Sequence, residues 1–193
     1  APWLEVTDLT SVLRPFEPTR IALKDYAFNP THSAYFLENP EFPGERFYFW
    51  RLTSVSPPDP YRVNFSRYLP GAGMMIMHTD LDSNPHGMPP QNRLGSHFTY
   101  NIVQADGLHQ LEHGENEGDA GDPWPGTSNA REWNKDTSPQ ARWWTGIPIP
   151  LSILDIQEEA EYSMVTFLWQ PRFVPELRFI RPPGGTIVNN HFI

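Results

Sequence analysis

RFYFWRL, residues 46–52, reads as a β-strand, and it decides the fold class. Aromatic and bulky apolar side chains crowd a short run, which suits a pleated, partly buried surface better than a helical stripe. Runs of the same kind recur on either side of it. They are residues 20–26 (RIALKDY), 34–37 (AYFL), 74–78 (MMIMH), 98–103 (FTYNIV), 147–156 (IPIPLSILDI) and 162–169 (YSMVTFLW), with 177–180 (LRFI) as a last strand. Gly, Pro, Asn and Asp bound them. No window of twelve or more residues carries an apolar period of 3.6, and only residues 4–13 suggest a short helix. The expected fold is all-β: a β-sandwich of about eight short strands with long Pro/Gly-rich loops. One domain is expected over residues 1–180, with a Pro/Gly-containing tail or truncated linker over 181–193.

Composition supports this reading and narrows the partners. The 193 residues suffice for one substantial core. The 22 prolines are about twice the ordinary usage, so they interrupt helices and favour strands joined by rigid turns. The 26 aromatic residues exclude a disordered chain. A net charge of −9 without a basic stripe argues against nucleic acid and anionic membrane surfaces. No apolar run is long enough to span a membrane. Cysteine is absent, which removes disulfides, thiolate catalysis and Cys-ligated zinc. No signal peptide opens the chain, and the start at Ala1-Pro2-Trp3 reads as a processed terminus or a cut within a longer protein.

Chemistry concentrates in residues 101–126, NIVQADGLHQLEHGENEGDAGDPWPG. Six carboxylates (Asp106, Glu112, Glu115, Glu117, Asp119, Asp122) fall within seventeen residues that contain no Lys or Arg. Such density needs solvent or a cation. Hard oxygen donors on a backbone punctuated by Gly107, Gly114, Gly118 and Gly121 suit Ca²⁺. The candidate metal ligands are Asp106, Asn116, Asp119 and Asp122. An acidic surface loop whose Asp side chains cap backbone N–H groups fits the same residues. The spacing does not follow an EF-hand loop.

Within the same stretch His109-Gln-Leu-Glu112-His113 matches an inverted zinc-peptidase motif. That motif requires both imidazoles on one helical face. Here Gly107 and Gly114 leave at most six residues for a helix, so zinc is not expected. His78, Asp80, Asp82, Asn84 and His86 form a second polar cluster, read as a polar strand end running into a loop. Trp124, Trp133, Trp143 and Trp144 could stack on sugar rings or anchor a core, and Asn64-Phe-Ser66 is the one glycosylation sequon. No Ser-His-Asp elbow, phosphate loop or dinucleotide fingerprint is present.

Several elements stand in a familiar order: Glu38-Asn39 after an aromatic strand, LPGAGMMIMHTD (69–80), IVQADG (102–107), GDAGDPWPG (118–126) and TGIPI (145–149). This order resembles the β-rich region that follows the zinc-binding segment in M6-type (immune inhibitor A-like) secreted metallopeptidases. The resemblance covers roughly residues 34–155, and the GDAGDPWPG element is long and specific. The family's HExxH zinc motif is absent from the chain, Pro40-Glu41 replaces its Arg-Gln, and residues 42–61 form an insertion. What the resemblance implies is a non-catalytic, extracellular β-domain with a structural or binding role and Ca²⁺ at the GDAGD loop. Its partner would be an upstream peptidase domain; apart from the resemblance, the aromatic and proline content suits self-association, and the tryptophans suit a glycan. The alternatives are a processed piece of an active zinc metallopeptidase, or an interaction module of an extracellular assembly.

Overall fold

The computed structural model describes residues 4–24, 32–52, 71–80 and 98–171. Asn64, Asp82, Asn84, His86, the strand expected at 177–180 and the tail 181–193 lie outside the described residues. Among the described residues eight strands form, together with one turn of α-helix and one 3₁₀ turn: β1 (Leu4–Asp8), β2 (Pro18–Lys24), β3 (His32–Glu38), β4 (Glu45–Leu52), β5 (Gly73–Asp80), β6 (Tyr100–Ile102), α1 (Gln110–His113), β7 (Leu151–Glu158) and β8 (Tyr162–Trp169). The fold is all-β, in two sheets. One has the order β1-β3-β4-β5-β6 and the other β2-β8-β7. Strand β1 runs parallel to β3, and the other pairings are antiparallel. Parallel neighbours need a crossover, and here the chain passes through β2 in the other sheet.

The short helix expected over residues 4–13 does not form. Strand β1 occupies its first half, and a 3₁₀ turn at Leu9–Ser11 follows. Asp8 explains the switch. Its carboxylate accepts hydrogen bonds from the Thr10 N–H and hydroxyl, both at 2.8 Å, a local cap that competes with helix extension. The turn then drops Leu9 into the core, fully buried.

Burial alternates without a break along β4. Glu45, Phe47, Phe49 and Arg51 point inward, while the residues between them are half-buried. Strand β8 does the same with Ser163, Val165 and Phe167. Strand β7 changes phase: Leu151 and Ile153 are buried, then Ile156. A register shift between Ile153 and Asp155 accounts for it, since a bulge admits one extra residue and flips every side chain beyond it. Leu154 is thereby turned outward. The strand expected at 147–156 starts late because Pro148 and Pro150 cannot donate to a ladder.

Both sheets contribute to one buried cluster, with Leu37, Phe47, Phe49 and Ile76 from the first and Leu23, Ile153, Val165 and Phe167 from the second. Phe49 and Phe167 meet edge-on, with ring centroids 5.6 Å apart. The long segment between β6 and β7 adds Trp124, Trp133, Ala141, Trp143 and Ile149 to the same cluster. Trp124 exchanges backbone hydrogen bonds with Met74, and Trp133 with Ile153. Large aromatic anchors tied to strands β5 and β7 therefore order a segment that has little regular structure of its own.

Candidate functional site

The acidic segment begins where β6 ends. Gln104 is buried and grips the turn beyond it: its amide oxygen accepts from the Gln110 N–H at 3.0 Å, and its amide nitrogen donates to Glu112. Asp106 turns back on itself, its Oδ1 accepting from the Leu108 N–H at 3.0 Å. The GDAGD turn then folds against it. Asp122 Oδ2 accepts from the Asp119 N–H at 2.7 Å, and Asp119 Oδ1 accepts from the Gly121 N–H at 2.7 Å. Asn116 donates to Asp119 Oδ2 at 3.0 Å, and its own Oδ1 accepts from the Gly118 N–H.

Gly121 shows how tightly these carboxylates are drawn together. A Cβ there would collide with Asp106 Oδ2 and come within 2.9 Å of Asp119 Oδ1. Asp106, Asn116, Asp119 and Asp122 are thus gathered at one turn. Asp122 is 5% exposed, and its Oδ1 has no hydrogen-bond partner among the described residues. Burial pushes its carboxyl above the usual range. The Asp119 N–H pulls it down, and the charges of Asp119, Asp106 and Glu112 push it up again. A buried oxygen with acidic neighbours and no donor among the described residues is costly to keep ionised. Among the described residues no group of three or more His, Asp or Glu side chains is gathered closely enough to coordinate an ion as it stands.

The zinc-like motif has a different geometry from the one its letters suggest. His109 adopts a left-handed conformation (φ 58°) ahead of a single helical turn, so it does not share a helical face with His113. His109 Nδ1 lies 3.2 Å from Glu112 Oε1, and the other Glu112 oxygen accepts from Gln104. Both imidazoles are more than half exposed, and His113 faces Glu115 at 3.8 Å. The motif braces the turn that carries Asp106. Of the two readings of the tryptophans, the core anchor holds for Trp124 and Trp133. Trp124 and Trp133 are fully buried and have no face to offer a ring. Trp143 is 6% exposed and lines a cleft of about 330 Å³ with Leu37, Pro40, Ile147 and Trp169.

A second polar centre lies inside the core. Glu45 Oε1 sits 2.8 Å from His78 Nε2 and accepts from the Trp144 N–H at 2.7 Å, while Glu45 Oε2 accepts from Asn39 at 2.6 Å. The His78 ring is stacked between Phe47 and Trp144, at 4.0 and 4.3 Å. Burial alone would raise the Glu45 carboxyl, but hydrogen bonds from His78, Trp144 and Asn39 outweigh it and hold the carboxyl below the usual range. Sequence reasoning placed His78 in a polar strand end and overlooked Glu45. The β4 alternation was the available signal: a carboxylate at an inward position of a buried strand needs a partner.

No family model, curated protein or solved structure matches this chain.

Proposed function

We propose that this chain is a non-catalytic β-domain, related to the region that follows the zinc-binding segment in M6-type secreted metallopeptidases. Its role is structural or binding, in an extracellular protein. One observation carries the reading. The elements that bear the resemblance are distant in sequence yet meet in one hydrogen-bonded unit. Met74 pairs with Trp124 through its backbone, the Ala105 N–H donates to the Asp122 carbonyl at 3.0 Å, and the Trp124 indole N–H donates to the Val103 carbonyl at 2.9 Å. Gly73, at the start of β5, belongs to the same unit. It has φ +148°, and a side chain there would strike the Trp124 carbonyl. Motifs that constrain one another in this way behave as a folding unit. The glutamate a zinc peptidase would use as a base is here engaged by Gln104 and His109.

Zinc content and hydrolysis of a mixed peptide library test this reading. The purified chain is expected to hold no stoichiometric zinc and to cleave nothing. Stoichiometric zinc, with cleavage abolished in Glu112→Gln, would favour the active-peptidase alternative and overturn the reading.

A further inference from the structure

We infer that the cleft beside Trp143 is a peptide-binding groove, and that its ligand is an extended, proline-containing segment with a basic residue next to the prolines. This gives the binding role proposed above a surface and a partner, and it rests on that half of the reading. The walls carry the argument. Trp143 and Trp169 supply aromatic surface, and Pro40, Pro148, Pro150 and Pro171 place rigid rings beside them. Proline has no N–H, so these four positions cannot pair with an incoming β-strand. An aromatic groove with such walls suits a polyproline II segment, which needs no backbone ladder and holds its shape before binding. The volume, about 330 Å³, is at the small end for ligand sites and takes a few side chains rather than a folded partner.

The groove is held in shape by its own backbone. The Trp143 N–H donates to the Ile147 carbonyl at 2.9 Å, and the Gly146 N–H to the Trp143 carbonyl at 2.8 Å. The Gln170 N–H donates to the Pro150 carbonyl at 2.7 Å, which ties the end of β8 to the same segment. Beyond β3, Asn39 Oδ1 accepts from the Glu41 N–H at 3.0 Å and fixes the Pro40-Glu41 turn. Charge then selects the flank of the ligand. Glu38 is engaged by Arg46 at 2.7 Å, but the exposed Glu41 carboxylate has no ion pair or hydrogen bond among the described residues. An unpaired acid on an apolar groove, in a chain of net charge −9, favours Arg or Lys beside the prolines. Two further aromatics adjoin the groove. Phe42 follows directly on Glu41, and the Phe16 N–H donates to the Trp169 carbonyl at 2.8 Å. Both are more than half exposed. Phe16 holds φ 64°, a left-handed conformation that bulky residues rarely adopt. Strain of this kind gathers at ligand clamps, and aromatic side chains are enriched at interfaces.

Tryptophan fluorescence and amide NMR of the chain test this with three synthetic peptides. One has two arginines followed by six prolines, one has two glutamates before the same prolines, and one has two arginines before a glycine-serine repeat. The first is expected to bind and to shift amides in residues 38–42 and 143–150. It should bind roughly fivefold more tightly than the glutamate peptide, the scale of one exposed ion pair. Glu41→Lys should erase or invert that preference, and Trp169→Ala should weaken binding about thirtyfold. If Trp169→Ala fails to fold, the exposed Glu41→Lys still decides. Equal binding of the glycine-serine peptide would mean charge attraction alone and would overturn the groove. So would the absence of binding by either proline peptide, or self-association of the chain that shuts the peptides out and seats a second copy there. None of these outcomes alters the zinc and hydrolysis assays, which decide the non-catalytic reading separately.

Discussion

Glu45 and Asp122 are both buried carboxylates, yet their surroundings drive them in opposite directions. Asp122 is raised by burial and acidic neighbours, and Glu45 is lowered by three donors that more than offset its burial. For Glu45 the sign for stability follows directly. A carboxyl lower in the folded chain than in the unfolded one contributes stability that is fully present above the unfolded pKa. That contribution is lost as pH falls through the folded value. Urea unfolding between pH 7 and pH 3 should therefore show Glu45→Gln less stable at neutral pH with a shallower acid limb. Parallel curves for variant and wild type would remove this role. That Asp106, Asn116, Asp119 and Asp122 would crowd one turn was legible from residue type and spacing. Glu112 was visible as one of six clustered carboxylates and as part of the His109–His113 motif, but not as a partner of a buried side chain. Its grip by Gln104 depends on a side chain buried by tertiary packing, which no local pattern announces.

At the scale of elements, aromatic and β-branched runs located seven strands within a few residues, because pleated surfaces select those side chains wherever they occur. The misses have local causes. The Asp8 cap turned an apparent helix into a strand and a 3₁₀ turn, and the β7 bulge shifted the inward phase after Ile153. The segment between β6 and β7 has little regular structure, and apolar anchors order it. Trp133 touches both Phe47 and Phe49 and pairs its backbone with Ile153. Trp133→Ala should cost about 3–5 kcal/mol, typical of a large aromatic removed from a core. It should also raise hydrogen exchange across residues 126–150 more than in β4. A loss under 1 kcal/mol in denaturant unfolding would show that the segment is held otherwise.

Across the whole molecule the two sheets share a core that is closed by charge at one end. Arg51, 2% exposed on β4, donates to Glu158 on β7 and to the Glu159 carbonyl at 2.9 Å, and Glu158 in turn accepts from Ser163. Removing one partner of a buried pair strands the other. Arg51→Ala should therefore destabilise by about 3 kcal/mol, reduced somewhat by the partial exposure of Glu158. Arg51→Met, which fills the space, should cost less. Equal losses in urea unfolding would assign the effect to the broken ion pair alone and leave packing no part in it. The all-β class was readable because it rests on composition and short periods. The sheet order was not, since β1 pairs with β3 across an intervening strand of the other sheet. The central claim is the proposal that this is a non-catalytic β-domain whose His109–His113 motif holds no zinc. The most direct measurement is metal analysis of the chain after dialysis against Zn²⁺. No stoichiometric Zn²⁺ is the predicted result. One Zn²⁺ per chain, lost when His109 and His113 are both replaced by Ala, would contradict it.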